Sequence, residues 1–381
     1  MGGADFPGDA NRFPIDSAPE PEDPFRSGFE TPGDPPLDLS PRPFQFTGSA
    51  SEYFRIWIVN LMLSVATLGI YSAWAKVRRL RYFYGHTSLD GSAFGYHASP
   101  IAILKGRLIS YGVVLTLGIL GQVAPLGVYL LYLPLIALMP MILVRGLRFR
   151  ARNSSYRGIR FAFDGQTSDA YLVFLGFPLA VPFTLGFLYP YVIARQREFV
   201  IAGSRHGEST FQLRLPAWPV YRIYAVAALC AILLFGVPVA MMAGAQLTEA
   251  LAGNPDDPAA FNPMVLFAVL LFYLGVGVLT VGVRTEFENL AWEHTTIDGH
   301  RFRSRLEIAQ MFGYYVTNLL AIALTLGLAV PWARIRLARY RAKSLTLLPA
   351  GPIVTQAGGS SIDESATGAE LTEAMDFDVG I

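Results

Sequence analysis

The sequence predicts an all-α integral membrane protein with short cytoplasmic β-hairpins, internal repeats and two transmembrane helix pairs. Three observations support this: the composition, four long apolar runs, and an apolar element that occurs three times. Apolar residues fill 52% of the 381 positions and charged residues only 15%, with a mean hydropathy of +0.39. Such usage is typical of proteins that live in a bilayer and not of soluble domains.

Charge segregation divides the chain into three parts. Residues 1–43 contain nine acids and three arginines, and residues 349–381 contain six acids and no base. We therefore expect two disordered acidic tails, the first of them rich in proline. The membrane domain between them, residues 44–348, carries 27 bases against 14 acids, which suits a protein with many cytoplasmic loops.

One apolar element recurs along the chain. Each copy has an apolar arm, the sequence Thr-Leu-Gly, and then an aromatic residue followed by a basic cluster. Glycine readily takes the left-handed backbone that ends a helix, so each copy is predicted to break there. The three repeat elements cover residues 52–84, 169–199 and 308–341.

Four further apolar runs are long enough to cross a bilayer. A run of 17 residues reaches about 25 Å as a helix, close to the thickness of the hydrocarbon core. The predicted spans are 108–124, 128–144, 225–246 and 264–283. Asp-Gly pairs at 90–91 and 298–299 indicate hairpins that could pair into a small sheet, and alternating residues predict strands at 44–48 and 159–165.

Basic loops flank the repeat elements on both sides, which bears on topology. Loops rich in Lys and Arg stay in the cytoplasm, so a single crossing by residues 169–199 would put one such loop outside. The simplest interpretation is that each repeat element is re-entrant: it enters from the cytoplasm, turns at Thr-Leu-Gly and returns. Both termini are then cytoplasmic. The alternative is seven plain spans with the N-terminus outside.

The turns and basic clusters supply the candidate site for substrate or lipid. Broken helices expose backbone carbonyls and N–H groups, and transporters place binding sites at such breaks. Plainer roles are interfacial anchoring by Trp, lipid-phosphate contact by Lys and Arg, and hydrogen bonds between helices by Asn. The candidate residues are Asn60, Thr67, Gly69, Trp74, Lys76, Arg78, Asn318, Thr325, Gly327, Trp332, Arg334 and Arg336.

Few signs point to catalysis or cofactors. The chain has one cysteine, Cys230, so a disulfide within one chain is impossible. Five histidines are expected in loops with spacing unlike that of metal ligands, and nucleotide, zinc-protease and serine-hydrolase motifs are missing. We expect no metal, no cofactor and no nucleic acid; the expected partners are membrane lipid and whatever the acidic tails recruit.

Several motifs resemble the YjgN-like family of bacterial inner-membrane proteins. They are the string from Glu52 to Tyr82, Asn153-Ser-Ser-Tyr-Arg-Gly158 and Thr295-Thr-Ile-Asp-Gly299. The resemblance covers about 44–345 and implies an inner-membrane location, but it transfers no catalytic residue. The second repeat element departs from the pattern, because Phe177 replaces the Asn and Ile193 replaces the Lys.

Three classes of function fit these features. The first is a transporter- or channel-like protein with a cavity facing the cytoplasm, and the alternative is a membrane scaffold that organises lipid without transport or catalysis. The third and weakest is a membrane enzyme that acts on lipid. A polar cavity near the Thr-Leu-Gly turns would favour the first class, and dry packing of the three copies the second.

Overall fold

A computed structural model describes residues 39–252 and 263–351. The predicted acidic tails therefore lie outside the described residues, except for 39–43 and 349–351. Within the described ranges the chain alternates between short strands and helical segments, and every helical segment lies between two strands.

The centre of the molecule is a closed antiparallel β-barrel of ten strands, so the all-α fold class is wrong. Around the barrel the order is β1-β10-β9-β8-β7-β6-β5-β4-β3-β2. The strands are β1 Arg42–Phe46, β2 Thr87–Leu89, β3 Ser92–Tyr96, β4 Ser154–Tyr156, β5 Ile159–Phe163, β6 Ser204–His206, β7 Ser209–Leu213, β8 Thr295–Ile297, β9 His300–Ser304 and β10 Leu345–Leu348.

Tight two-residue turns join four of the strand pairs. The predicted turn at Asp90-Gly91 is present, with φ of 50° and 71°, and the turn at Asp298-Gly299 is alike. Positive φ at both central residues matches the right-handed twist of the flanking strands. Arg157-Gly158 forms a third such turn, and Gly207 opens the fourth.

The barrel interior follows from alternation along the strands. In every five-residue strand the third residue is phenylalanine. Because alternate side chains of a strand point to the same face of the sheet, these phenylalanines occupy equivalent positions. These side chains pack with Leu89, Tyr156 and Trp292 into one apolar core. The five phenylalanines are Phe44, Phe94, Phe161, Phe211 and Phe302.

Five helical units connect the strands. Each unit leaves the end of a five-residue strand and returns to the start of the next short strand, so both of its ends lie at one rim of the barrel, here called the helical rim. The tight turns lie at the opposite hairpin rim. Unit 1 is α1 Ala50–Ala66 and α2 Ser72–His86; unit 2 is α3 Pro100–Val123 and α4 Pro125–Asn153; unit 3 is α5 Thr167–Tyr171, α6 Phe177–Ala180 and α7 Tyr189–Ala202; unit 4 is α8 Ala217–Ala252 and α9 Pro263–Glu293; unit 5 is α10 Ile308–Leu324 and α11 Val330–Ser344.

Units 2 and 4 contain the four helices that are long and apolar enough to cross a membrane. The four predicted spans fall within them, and between 6% and 22% of each apolar window is buried inside the protein. Units 1, 3 and 5 contain the three repeat elements and are shorter. Their first arms α1 and α10 have 17 residues each, about 25 Å of helix.

Strand pairing also bears on the seven-span alternative. Seven plain spans would put residues 154–163 and 204–213 on opposite sides of a membrane. In the barrel β5 pairs with β6, with Phe161 opposite His206. The seven-span alternative is therefore incompatible with this fold, whereas re-entry of the short units into a bilayer stays a prediction.

Neighbouring units are joined by five equivalent hydrogen bonds, here called the staples. In each staple the second helix of one unit reaches the backbone of the loop that precedes the next unit. The bond from Arg339 to the carbonyl of Gly48 closes the circle between units 5 and 1. The staples are Arg81 to the Ala98 carbonyl at 3.3 Å, Arg148 to the Gly165 carbonyl at 3.2 Å, Leu215 N–H to the Glu198 carboxylate at 2.7 Å, Asn289 to the Leu306 carbonyl at 2.8 Å, and Arg339 to the Gly48 carbonyl at 3.0 Å.

Candidate functional site: a cationic cavity

The Thr-Leu-Gly turns have the same backbone in all three copies. Leu68, Leu185 and Leu326 have φ near 49°, and the glycines that follow have φ between 87° and 95°. In the first copy the hydroxyl of Thr67 donates to the carbonyl of Leu63 at 2.7 Å and accepts from the N–H of Tyr71 at 2.9 Å. The left-handed residues and the threonine thus reverse the chain between two helices.

These turns do not offer the open helix ends that the sequence led us to expect. In the first copy the Gly69 N–H donates to the Ser64 carbonyl at 2.7 Å, and the Ser72 N–H donates to the Gly69 carbonyl at 3.1 Å. In the third copy Thr325 and Gly327 make the matching bonds. In the first copy these bonds pair the N–H groups of residues 67–72, and a role of the turns in binding stays a prediction.

Asn60 and Asn318 hold the two arms of their units together. Arg78 donates to the Asn60 side-chain oxygen at 3.4 Å, and Arg336 donates to that of Asn318 at the same distance. Both asparagines are buried. The Asn318 amide also donates to the carbonyl of Ala333. These contacts are hydrogen bonds between helices, the plainer of the two roles considered for the asparagines in the sequence analysis.

The second copy replaces this polar clamp by an aromatic one. Phe177, at the position of the Asn, packs edge-on against Tyr191 with ring centroids 5.5 Å apart. Arg195, at the position of Arg78, lies over the Tyr191 ring at 5.0 Å. The departure seen in the sequence therefore changes the chemistry of the clamp while the helix pair persists.

A polar cavity opens beside the first copy, between units 1, 2 and 5. This outer chamber has a volume of 290 Å³ and extends from Ser64 and Ser72 near the turn to the second helices of the units. All of its lining residues are described, and none of them is acidic. Its cations are Lys76, Arg79, Arg107 and Arg334.

A second chamber of 380 Å³ continues toward the barrel. This inner chamber shares Lys76, Arg79 and Arg334 with the outer one and adds Arg150 and Arg341. Phe44, Thr87 and Leu345 form its floor at the helical rim. We call the two chambers together the cationic cavity.

Helical spacing directs these bases inward. Lys76 and Arg79 are three residues apart on α2, and Arg334 and Arg341 are seven apart on α11, so each pair shares one face. The Lys76 side chain is buried, and Arg334 donates to the Tyr53 hydroxyl at 3.3 Å. Arg341 approaches Glu288 at 3.9 Å. The described residues that line the cavity therefore include six bases and no acid.

The structure divides the sequence-derived candidates into groups. Three of them, Asn60, Lys76 and Arg334, line the cationic cavity. Trp332 and Arg336 lie instead on the outer face of unit 5, where Arg336 stacks 5.0 Å from the Trp332 ring. The remaining candidates form the turns (Thr67, Gly69, Thr325, Gly327), the arm contacts (Arg78, Asn318) or helix packing (Trp74).

Sequence reasoning missed four cations of the cavity. Arg79 could have been found from its spacing of three residues after Lys76. Arg107, Arg150 and Arg341 flank membrane helices, and a one-dimensional charge count cannot tell an inward base from an outward one. Arg107 donates to the Ser72 hydroxyl, which brings unit 2 to the site.

The barrel interior contains a mainly apolar cavity of 190 Å³, which shares Phe44, Tyr84 and Arg150 with the inner chamber. Two histidines expected in loops lie in its strands and are buried, His206 in β6 and His300 in β9. Burial lowers the pKa of His206 below its ordinary value of 6.5, while its contact with the Tyr156 carbonyl at 3.1 Å opposes that shift. No group of three potential metal ligands is found among the described residues.

Together, the fold and the site define a class: a helical membrane protein in which five units rise from one rim of a barrel around a cationic cavity. Comparison with known proteins supports the membrane part of this description. The chain belongs to the family described as bacterial protein of unknown function (DUF898), whose model matches residues 41–374.

Full-length relatives carry one descriptive name, inner membrane protein YjgN. The chain is 24% identical to that of Salmonella typhimurium over 344 residues, covering 78% of this chain and 86% of the relative. It is 26% identical to that of Escherichia coli O157:H7 over 373 residues, covering 82% and 90%. No solved structure matches. The resemblance to the YjgN-like family is confirmed, as is the prediction of a membrane protein.

Proposed function

We propose that this protein is a transporter- or channel-like protein of the inner membrane whose cationic cavity takes up an anionic solute from the barrel side. One observation carries the proposal: four bases line the outer chamber, and none of its described lining residues is acidic. In a site of low dielectric such bases favour a bound anion far more than in water. The names of the relatives support the location.

The barrel side is assigned to the cytoplasm. The bases of the chain gather at the helical rim and on the strands, and positive loops stay inside. β1 begins and β10 ends at the hairpin rim, so the first and last strands of the described domain open on the same side. The cavity, which lies between units 1, 2 and 5 next to the helical rim, is then proposed to open to the cytoplasm.

The short units are proposed to enter the bilayer without crossing it. Their turn residues Leu68, Leu185 and Leu326 are 96%, 89% and 95% exposed, and no charged residue lies at the tips. Exposed leucines are unfavourable in water and favourable in hydrocarbon. In the first copy every N–H group of residues 67–72 donates a hydrogen bond within the unit. Such pairing is required of backbone groups that lie in the hydrocarbon of a bilayer.

The binding step can be tested with inorganic phosphate as the probe. Phosphate should raise the thermal unfolding temperature of the full-length purified protein, and Arg334→Gln should abolish most of that rise. Arg160→Gln, an exposed arginine on β5, is the matched control and should respond like the wild type. An equal response of all three proteins, or no response at all, would contradict an anion site in the cavity.

The transport step needs a membrane. Proteoliposomes that contain the wild type should accumulate labelled phosphate or pass an anion current, and those with Arg334→Gln should do so at a rate several-fold lower. Binding without any flux would favour the second candidate, a lipid-organising scaffold. The exposed apolar turns of the three short units support this scaffold function, because they can insert among lipid chains.

A further inference from the structure

A second basic site lies outside the cationic cavity, on the outer face of unit 5. It is a groove of 920 Å³ between α10, α11 and the outer face of β9 and β10. Aromatic residues Tyr314, Trp332 and Tyr340 line it together with five bases and one acid, Glu307. The bases are Arg303, Arg305, Arg336, Arg339 and Lys343.

Several of these charges are available to a ligand. Glu307, the acid of the groove, accepts a hydrogen bond from Gln310 at 2.6 Å. Arg303, Arg305 and Lys343 are exposed and form no ion pair with any described residue. The groove therefore holds a net positive charge that the protein does not neutralise within its described part.

Unit 1 shows that the fold does not need three of these bases. The two units share their framework: the Tyr82 hydroxyl accepts from the Ser49 N–H at 2.9 Å, and Tyr340 makes the matching bond with Glu307 at 2.9 Å. Yet the positions of Arg303, Arg305 and Lys343, each 258 residues earlier, hold Gln45, Thr47 and Gly85. Because the same geometry forms without these cations, the cluster points to a ligand.

The neighbouring surfaces identify the kind of ligand. Trp332 is 42% exposed, and an exposed tryptophan on a membrane helix marks the level between headgroups and hydrocarbon. From Trp332 to Lys343 the axis of α11 runs about 16 Å toward the barrel, so Lys343 lies on the water side of that level and its long side chain can extend back toward lipid headgroups. On the other side of Trp332, α10 exposes apolar side chains that can lie against acyl chains: Leu319, Leu320 and Leu324.

We propose that this groove binds an anionic phospholipid of the barrel-side leaflet, with its phosphate headgroup among Arg303, Arg305 and Lys343 and its chains along α10. Attraction of basic side chains to anionic lipid adds up over the cluster. The groove is separate from the cationic cavity, so this site does not depend on the function proposed for that cavity.

Native mass spectrometry of the full-length protein in detergent tests the site. Titration with phosphatidylglycerol should give a tightly bound lipid adduct that phosphatidylcholine does not give at equal concentration. The triple variant Arg303→Gln, Arg305→Gln, Lys343→Gln should bind phosphatidylglycerol about a hundredfold more weakly, since three bases at about 1 kcal/mol each sum to about 3 kcal/mol and about 1.4 kcal/mol is tenfold in affinity. The control Arg301→Gln removes an outward, exposed arginine of the same strand that does not line the groove.

Defined outcomes overturn the proposal. They are equal binding of the two lipids, unchanged binding by the triple variant, an equal loss in the Arg301→Gln control, or displacement of the lipid by inorganic phosphate at matched concentration. The last result would make the groove a free-phosphate site. If the triple variant fails to fold, the three single variants should each show part of the loss, and their full retention of binding would refute the site.

Discussion

At the scale of residues, His206 is a titratable side chain inside the barrel. Burial lowers its pKa below 6.5, and the nearby positive charge of Arg157 acts in the same direction. The unfolded chain therefore binds a proton at a pH where the folded protein does not. The stability due to neutral His206 is fully present above pH 6.5 and is lost as the pH falls through and below that value.

His206→Gln should reduce this pH dependence, because glutamine can still donate to the Tyr156 carbonyl but does not titrate. We expect the unfolding temperature of the wild type to fall more than that of the variant between pH values above and below 6.5. Thermal unfolding in detergent at several pH values measures the difference. Parallel profiles for the two proteins would show that His206 is not the titrating group.

Single residues were predictable where one local rule decides them. Gly69, Gly91 and Gly299 all have the positive φ that their turns require. The replacement of Asn by Phe177 correctly marked a changed clamp. Helical spacing groups Arg79 with Lys76 and places Arg78 on another face, but it did not tell which of the two faces lines the cavity.

At the scale of elements, the helices that return to the barrel end in similar ways. Side chains at the last position bond to the carbonyl four residues earlier, which ends the helix and releases the chain into a strand. His86 contacts the carbonyl of Tyr82 at 2.7 Å, and Ser344 donates to that of Tyr340 at 2.9 Å. Strands of three or four residues are too short to show alternation, so β4, β6 and β10 were missed, and the five-residue strand β7 was missed with them.

The staple at Asn289 is the one that makes most bonds. Its amide donates to the Leu306 carbonyl, and its oxygen accepts from the Ser304 hydroxyl at 2.7 Å and the Leu306 N–H at 3.0 Å. Asn289→Ala should lower the free energy of unfolding by about 2 kcal/mol. Each of the three lost hydrogen bonds contributes on the order of 1 kcal/mol, and rearrangement of the freed groups recovers part of that loss. Gln212→Ala, an exposed amide on β7, should cost little.

Denaturant titration of both variants in detergent measures the two free energies of unfolding. Similar values for Asn289→Ala and Gln212→Ala would mean that the staples do not hold neighbouring units together. A loss confined to Asn289→Ala would support the view that the circle of units is stabilised at each junction.

At the scale of the whole molecule, closure of the barrel could not be seen in the sequence. The five core phenylalanines are separated by 50, 67, 50 and 91 residues, because the helical units between them differ in length. A search for repeats in the sequence finds the short units 1, 3 and 5, because these units resemble one another. It does not find that all five units follow the same strand–helix–strand order. Pairing of β1 with β10 joins the two ends of the domain, a contact that no local pattern predicts.

The same architecture makes the topology testable with single cysteines in a Cys230→Ser background. Glu208, exposed in a turn at the hairpin rim, should label only from the cytoplasm, and Leu126, 85% exposed in the first turn of α4, only from the periplasm. Leu185 is 89% exposed on the protein, so only lipid can shield it. At that position a membrane-impermeant thiol reagent should fail from both sides and succeed once detergent replaces the bilayer. Labelling of Leu185→Cys from the periplasm in intact membranes would mean that unit 3 crosses, and a cavity facing the cytoplasm would then lose its basis.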